Sequence, residues 1–168
     1  MFTNLIQTNL TTTVLGKKIE HYTWTESTND DAWELIEEGA TEGTVVITDK
    51  QTAGKGRAGR NWVTTPGKSL TASLILNPAV NSRLSGWFSL LTGVAVVNAL
   101  IELGLESKLK WPNDIMVSVR KLGGILCESR VKGKTLEWGV IGIGLNINEL
   151  ENELPKELQA TSYFMEKS

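Results

Sequence analysis

The sequence predicts an α+β domain, a mixed β-sheet with helices packed on it. Most apolar stretches are short and rich in β-branched residues, two stretches have helical spacing, and the predicted order is β-α-β-β-α-β-β-β-β. A chain of 168 residues, of which 40% are hydrophobic, can bury one good core and is too short for two ordinary domains. We therefore expect a single domain with an ordered core over about residues 18–148.

The first half of the predicted sheet surrounds a short helix. Residues 18–22 are expected to form a short strand. Residues 43–48 are expected to form a second strand, because they are almost entirely β-branched. Between them, Ser27 or Thr28 is expected to cap a helix whose first turn holds two aspartates, where the helix dipole favours negative charge. Gly39 is the predicted end of this helix, because a left-handed residue is commonly needed there.

The second half contains a long helix. Residues 85–103 are apolar with helical recurrence, which predicts a core helix that ends at Gly104. The residues of its predicted buried stripe are Leu90, Val94, Val97 and Ile101. Strands are predicted around it at residues 69–76, 107–111, 114–119, 121–128 and 136–143. The polar, acidic tail from Glu149 is expected to be poorly ordered.

Composition and charge exclude several classes of function. The formal net charge is −2, so the whole protein has no positive field for broad binding of nucleic acid or anionic membranes. No signal-peptide pattern is present, and no stretch approaches the roughly 20 apolar residues of a membrane span. The single cysteine, Cys127, excludes an internal disulfide and gives no support to a zinc site. We expect a cytoplasmic protein.

A glycine-rich basic loop at residues 51–68 is the first candidate site. Its G-x-G-x-x-G stretch at residues 54–59 follows a predicted strand, but no helix start and no suitably spaced acidic residue follow it, so a dinucleotide fingerprint fails. A Walker A pattern also fails, because Arg60 stands where lysine is required. Lys55, Arg57 and Arg60 nevertheless suit phosphates or carboxylates. For this loop alone, a solvated segment or a nucleic-acid-binding arm is an equal alternative.

Two further segments combine residue types that suit a nucleotide. Residues 110–114, K-W-P-N-D, place a cation, an amide and a carboxylate just after a strand, so Lys110 can meet an anion and Asn113 or Asp114 can hold Mg²⁺. Residues 142–148 contain two glycines, which permit close approach, and two asparagines, whose neutral amides suit ribose or phosphate oxygens. Each segment alone also fits a structural turn or a β-bulge.

These three segments, in this order, resemble the biotin-protein ligase family, whose class II synthetase-like catalytic fold is shared with lipoate-protein ligases. The family patterns G-R-G-R-x-G-R-x-W, K-W-P-N-D, K-L-G-G-I-L and G-I-G-x-N-x-N match residues 54–62, 110–114, 121–126 and 142–148, and S-T-N matches residues 27–29. The resemblance spans most of the chain, from about residue 18 to residue 148. The set is far more specific than any single member.

The resemblance implies one site with a biotin half and an ATP half. The residues implied to bind biotin are Ser27, Thr28, Asn29, Gln51, Gly54, Arg57, Lys110 and Gly124. The residues implied to bind ATP or the adenylate are Lys55, Arg57, Arg60, Trp62, Asn113 and Asn146, with Asn113 also implied to bind Mg²⁺. Arg57 and Lys110 are the implied catalytic residues, because they would hold the biotin carboxylate and the α-phosphate.

The implied activity is that of an ATP-dependent, AMP-forming biotin–[biotin carboxyl carrier protein] ligase. Biotin would be activated to biotinyl-5'-AMP and transferred to a lysine of a biotin carboxyl carrier domain, without a prosthetic group or a covalent protein nucleophile. Homodimerisation is a further implication of the family. Ligation of lipoate or another acyl acid stays open as an alternative, as does a non-catalytic sensor of biotin or biotinyl-AMP.

Two departures from the family pattern bear on these implications. Lys55 stands where the family has arginine, which keeps the charge but loses bidentate contact and is expected to alter how tightly the adenylate is retained. The sequence also shows neither the N-terminal helix-turn-helix of some members nor the small C-terminal β-barrel-like domain that members usually carry. A minimal form or a fragment, with reduced binding of ATP or acceptor, is the resulting expectation.

Overall fold

A computed structural model describes residues 3–167. Among these residues, eight β-strands form one mixed sheet accompanied by four α-helices, which confirms the predicted fold class. The strands are β1 (Ile19–Tyr22), β2 (Val45–Thr48), β3 (Ser69–Leu76), β4 (Val80–Asn81), β5 (Lys108–Lys110), β6 (Asp114–Val117), β7 (Arg120–Lys132) and β8 (Thr135–Asn146). The helices are α1 (Thr3–Asn9), α2 (Thr28–Glu37), α3 (Ser85–Glu102) and α4 (Tyr163–Lys167).

The strand order in the sheet is β1-β2-β3-β8-β7-β6-β5, and β4 also pairs with β8. β1 and β2 are parallel, since α2 connects them, and the other described strand pairs are antiparallel. The central hairpin of β7 and β8 runs several residues longer than predicted, and β4 and α1 were not predicted. In this hairpin Gly124 pairs with Gly144 and Leu126 pairs with Gly142, so these four residues lie on one face of the sheet.

The two longest helices pack on opposite faces of the sheet. α2 packs through Ala32 on a buried cluster that contains Val140. α3 packs through Leu100 on a larger cluster that contains Ile141. Since Val140 and Ile141 are neighbours on β8, their side chains point to opposite faces. We call these the α2 face and the α3 face.

α3 differs from the core helix that the sequence predicts. Within it, the buried residues are Gly93 and Leu100, whereas Val94 and Ile101 of the predicted stripe are 52% and 44% exposed. Val97 of the stripe does pack against the α3-face cluster. The prediction was wrong for Val94 and Ile101 because the helix is apolar on nearly every side, so spacing could not identify the buried face. The expectation that no stretch is apolar enough to cross a membrane was also wrong, since Ser82–Glu102 qualifies by length and composition.

The C-terminal tail does not match the expectation of a poorly ordered segment. Two short 3₁₀ turns lead from β8 to α4, and Glu149, Thr161 and Ser162 are buried. Asn146 Nδ2 on β8 donates to Thr161 O at 2.9 Å, and Ser162 Oγ donates to Glu149 O at 2.7 Å. The acidic composition suggested a solvated segment, but these internal hydrogen bonds tie the tail to β8 and to itself.

Candidate active site

A cleft on the α2 face of the sheet gathers all but two of the predicted site residues. The predicted residues that line it are Ser27, Thr28, Asn29, Gln51, Lys55, Arg57, Arg60, Trp62, Asn113, Gly124 and Asn146. The start of α2 and the basic loop thus lie on either side of the same stretch of β7 and β8. Tail residues Pro155, Leu158 and Ala160 add a wall that sequence analysis missed, because no motif marks them.

Two glycines of β8 shape the floor of the cleft. A Cβ at Gly144 would lie 2.4 Å from Cε2 of Trp62, so the indole can rest against this strand only where a side chain is missing. A Cβ at Gly142 would lie 2.5 Å from Oδ1 of Asn29. The glycines that the sequence predicted to admit a ligand therefore admit two side chains of the protein, one from the loop and one from α2.

The polar end of the cleft is formed by the start of α2 and by Gln51. Ser27 is the N-cap residue of α2, as predicted, although no capping hydrogen bond from its side chain is found within residues 3–167. The Thr28 backbone N–H donates to Gln51 Oε1 at 2.8 Å. Because that N–H can only donate, Gln51 turns its oxygen toward α2 and its Nε2 group away from it. Gly54 lies buried beside that Nε2 group and does not itself line the cleft.

The basic loop brings cations of two kinds to the cleft. Lys55 Nζ forms an ion pair with Asp30, and this hydrogen bond raises the pKa of Lys55. Within the described chain, neither Arg57 nor Arg60 has an ion-pair partner. Arg57 also reaches an adjoining cavity that is lined by the start of α3. The two arginines are therefore the loop cations whose charge is free to meet an anion.

The K-W-P-N-D segment does not bring its lysine into the cleft. Lys110 is exposed at the end of the edge strand β5 and lines neither the cleft nor the adjoining cavity. Lys121 on β7 does line the cleft, and its Nζ lies 2.6 Å from Asp114 Oδ1. Sequence analysis missed Lys121 as a site residue, although it begins the K-L-G-G-I-L segment, because a pattern does not tell which lysine faces a cavity.

Asn113 and Asn146 use their amide nitrogens inside the protein. Asn113 Nδ2 donates to Ile125 O at 2.8 Å, and Ile125 N–H donates to Asn113 O at 2.9 Å. Asn146 Nδ2 donates to Thr161 O, which ties β8 to the tail. Each nitrogen uses one of its two N–H donors in this way, and Oδ1 is the acceptor atom that each asparagine can offer to a ligand or cation.

The polar lining of the cleft consists mainly of cationic, amide and hydroxyl groups. Its described lining contains no cysteine or histidine. His21 lies on β1, where Nε2 is 3.1 Å from Asp49 Oδ2. Cys127 faces the adjoining cavity, and burial raises the pKa of its thiol to about 12. A reaction here would depend on charge and positioning.

The fold and the cleft together define a class of protein, an α+β domain with a polar cleft between a helix start and a glycine-arginine loop. The model of the biotin/lipoate A/B protein ligase family matches residues 22–146. The chain belongs to this family, as its motifs predicted.

Two curated relatives show how much of a longer protein is matched. The chain is 39% identical over 155 residues to the bifunctional ligase/repressor BirA of Bacillus subtilis, covering 92% of this chain and 48% of that protein. It is 36% identical over 136 residues to the biotin–[acetyl-CoA-carboxylase] ligase of Mycobacterium tuberculosis, covering 77% of this chain and 49% of that protein. The chain therefore spans about half the length of these relatives.

Solved structures share the fold. Biotin protein ligase from Aquifex aeolicus, in complex with biotin and ATP, has a TM-score of 0.72 and 32% identity, covering 90% of this chain and 62% of that chain. Biotin protein ligase from Leishmania major, in complex with biotinyl-5-AMP, has a TM-score of 0.73 and 26% identity, covering 89% and 64%. The predicted biotin ligase-like fold is thereby confirmed.

Proposed function

We propose that this chain is a single catalytic domain of a biotin-protein ligase, which forms biotinyl-5'-AMP from biotin and ATP and transfers biotin to a lysine of a carrier domain. The observation that carries the proposal is one cleft in which Thr28 and Gln51 lie on one side and two unpaired arginines on the other. The relatives that bind biotin with ATP, or biotinyl-5-AMP, support it. A cytoplasmic location and a homodimer remain parts of the same prediction.

The polar end of the cleft suits the ureido ring of biotin. That ring has two N–H donors beside a carbonyl acceptor, and the buried hydroxyls of Ser27 and Thr28 and the amide of Gln51 supply partners for both. The dithiolane ring of lipoate offers no such groups. Binding it here would leave buried polar groups unpaired, which is why this end favours biotin over lipoate.

The first chemical step joins two anions. The biotin carboxylate would attack the α-phosphorus of ATP, a new C–O–P linkage would form, and pyrophosphate would leave. Arg57 and Arg60 would neutralise the carboxylate and the phosphates, because their charge is not already paired. Trp62, which lines the cleft, would pack its indole ring on adenine.

Mg²⁺ would arrive with ATP. Within residues 3–167 there is no group of three or more His, Cys, Asp or Glu side chains able to hold a metal. Asn113 Oδ1 fits as one neutral oxygen ligand, and phosphate oxygens and water would supply the others. In the second step the amine of the acceptor lysine would attack the acyl carbon, AMP would leave, and the amine would lose a proton.

Biotin-dependent exchange between ATP and labelled pyrophosphate tests the proposal. The purified chain is expected to catalyse this exchange with biotin and not with lipoate. Exchange with lipoate alone would reassign the substrate, and binding of biotin without exchange would indicate a sensor.

Arg57→Ala tests the charge argument for the first step. We expect a loss of exchange of roughly 100-fold or more, the scale of losing a group that stabilises charge in a transition state. The matched control is Arg130→Ala, which removes an exposed arginine paired with Glu37 on the outer part of β7. Full activity in Arg57→Ala with an intact fold would contradict the assignment.

Lys110→Ala and Lys121→Ala separate the two candidate lysines. The family resemblance predicts loss of exchange in Lys110→Ala, whereas the position of Lys121 in the cleft predicts a loss, on the order of tenfold or more, in Lys121→Ala. Lys132→Ala, at the exposed end of β7, is the control. Full exchange in Lys110→Ala together with loss in Lys121→Ala would move the catalytic assignment from Lys110 to Lys121.

A further inference from the structure

A chain of buried polar groups runs from β7 to the polar end of the cleft. Glu128 Oε2 accepts from Asn29 Nδ2 at 2.7 Å, and Asn29 Oδ1 accepts from Ser73 Oγ at 2.6 Å. Ser73 Oγ lies 2.8 Å from Thr28 Oγ1, which lines the cleft. Asn29, Ser73 and Thr28 are 3%, 0% and 2% exposed, so water does not compete for the two bonds of Ser73.

Counting protons determines the direction of the first two bonds. The Glu128 carboxylate can only accept, so Asn29 turns its NH₂ group to Glu128 and its Oδ1 to Ser73. Ser73 has one hydroxyl proton and two neighbouring oxygens. The proton goes to Asn29 Oδ1, because that buried oxygen cannot donate and would otherwise have no partner.

The same count then determines the direction of the Thr28 hydroxyl. Since the Ser73 proton is used, Ser73 Oγ must accept from Thr28 Oγ1 across their 2.8 Å separation. Gln51 Oε1, 3.1 Å from Thr28 Oγ1, keeps the Thr28 backbone N–H as its donor at 2.8 Å. The hydroxyl proton of Thr28 therefore points into the protein, and its lone pairs are left for the cleft.

We propose that Glu128 is a positioning residue for ligand recognition. Acting through Asn29 and Ser73, it makes the Thr28 hydroxyl a hydrogen-bond acceptor toward the cleft. Gln51 Nε2, which has no acceptor within residues 3–167, is the donor beside it. An acceptor next to a donor complements the adjacent N–H and C=O of a cyclic urea. The inference rests on the proposed function and adds the direction of each hydrogen bond to it.

A double-mutant cycle on the equilibrium binding of biotin tests this role, with the whole chain in a calorimeter. Ser73→Ala removes the acceptor of the Thr28 proton and is expected to raise the Kd about fivefold, the effect of one neutral hydrogen bond. In a Thr28→Val background the same change is expected to alter the Kd by less than about twofold. If Ser73→Ala raises the Kd by the same factor in the Thr28→Val background as in the parent chain, the proposal is overturned.

Substitutions of Glu128 test the far end of the chain. Glu128→Gln keeps an oxygen for Asn29 and is expected to bind biotin as the parent does. Glu128→Leu removes that oxygen and is expected to raise the Kd about fivefold, again only where the Thr28 hydroxyl is present. The kcat of pyrophosphate exchange is expected to change less than the Kd, because the reacting carboxylate lies at the other end of biotin. A fall in kcat with unchanged Kd would contradict the role.

Trp33→Phe is the matched control. It removes the other hydrogen bond to Glu128 Oε2, from Trp33 Nε1 at 3.3 Å, and leaves the chain to Thr28 intact. An equal loss of affinity in Trp33→Phe and Glu128→Leu would indicate general damage and overturn the proposal. If the parent chain binds no biotin, both the proposed function and the role of Glu128 are contradicted. If biotin binds and the cycle shows no coupling, the assignment of Glu128 alone fails.

Discussion

Both faces of the sheet carry a buried apolar cluster, and the α2 face adds a network of buried polar side chains. On the α2 face, buried polar side chains such as Thr28, Asn29 and Ser73 form hydrogen bonds between separate elements. On the α3 face an apolar cluster fills the space, while Leu91 on the outer side of α3 is 63% exposed. Buried polar groups must match in direction, whereas apolar groups need only match in volume and shape. We therefore expect the α2 face to carry recognition and the α3 face to contribute mainly stability.

The largest expected effect lies on the inner side of α3. Leu100→Ala, at a residue 3% exposed, is expected to lower the free energy of unfolding by about 2–5 kcal/mol, because it leaves a cavity in the α3-face cluster. Leu91→Ala, at a residue 63% exposed on the same helix, is expected to change it by less than about 0.5 kcal/mol. Urea unfolding measures both. Equal losses would mean that the outer side of α3 is covered in solution.

A smaller effect on stability, with a loss of recognition, is expected on the α2 face. A Cβ at Gly142 would lie 2.5 Å from Asn29 Oδ1, whereas at Gly139 on the same strand the nearest atoms would be 3.8 Å away. Gly142→Ala is expected to cost about 1–3 kcal/mol and to weaken biotin binding roughly tenfold. Gly139→Ala, the control, is expected to change neither quantity appreciably. Thermal unfolding measures the stability of both variants, and calorimetry measures their affinity for biotin. Equal losses in the two variants would contradict the contrast between the two faces.

The smallest expected effect concerns Cys127 beside the cavity of the α3 face. Burial raises the pKa of this thiol to about 12, so the reactive thiolate is scarce below that pH. Alkylation by iodoacetamide at about pH 8 is expected to be slow in the folded chain and fast in denaturant, where the thiol has its ordinary pKa. Mass spectrometry over time measures the rate. Rapid modification of the folded chain would show that this cavity is more open than the burial of Cys127 indicates.

Much of the site could be predicted because its motifs are local. The loop over residues 54–62 and the turn over residues 110–114 carry glycines, a proline and charges whose effects depend on near neighbours in the chain. Ser27 and Thr28 were predicted at the start of α2 from capping chemistry, and the helix does begin there. Local chemistry therefore predicted a large share of the polar residues that line the cleft.

The prediction was weakest for residues whose environment is set by distant parts of the chain. The role of Lys110 stays a prediction that the proposed variants test, whereas the pairing of β6 with β7 places Lys121, which the sequence analysis passed over, in the cleft. Val94 and Ile101 of α3 were wrongly predicted to be buried, because the spacing of apolar residues cannot show which side of a helix packs on the sheet when most of its sides are apolar. The tail was judged by its composition, although hydrogen bonds from β8 hold it in place.

The sequence by itself determined the fold class, the order of the main elements and the family, because periodicity, turn chemistry and motif spacing are properties of neighbouring residues. Only the tertiary structure decided which lysine lines the cleft, which side of α3 is buried and which buried polar groups connect to the Thr28 hydroxyl. The last of these depends on Asn29 and Glu128, which are 99 positions apart in the chain. Folding alone brings their side chains into contact, so no local pattern can predict the hydrogen bond between them.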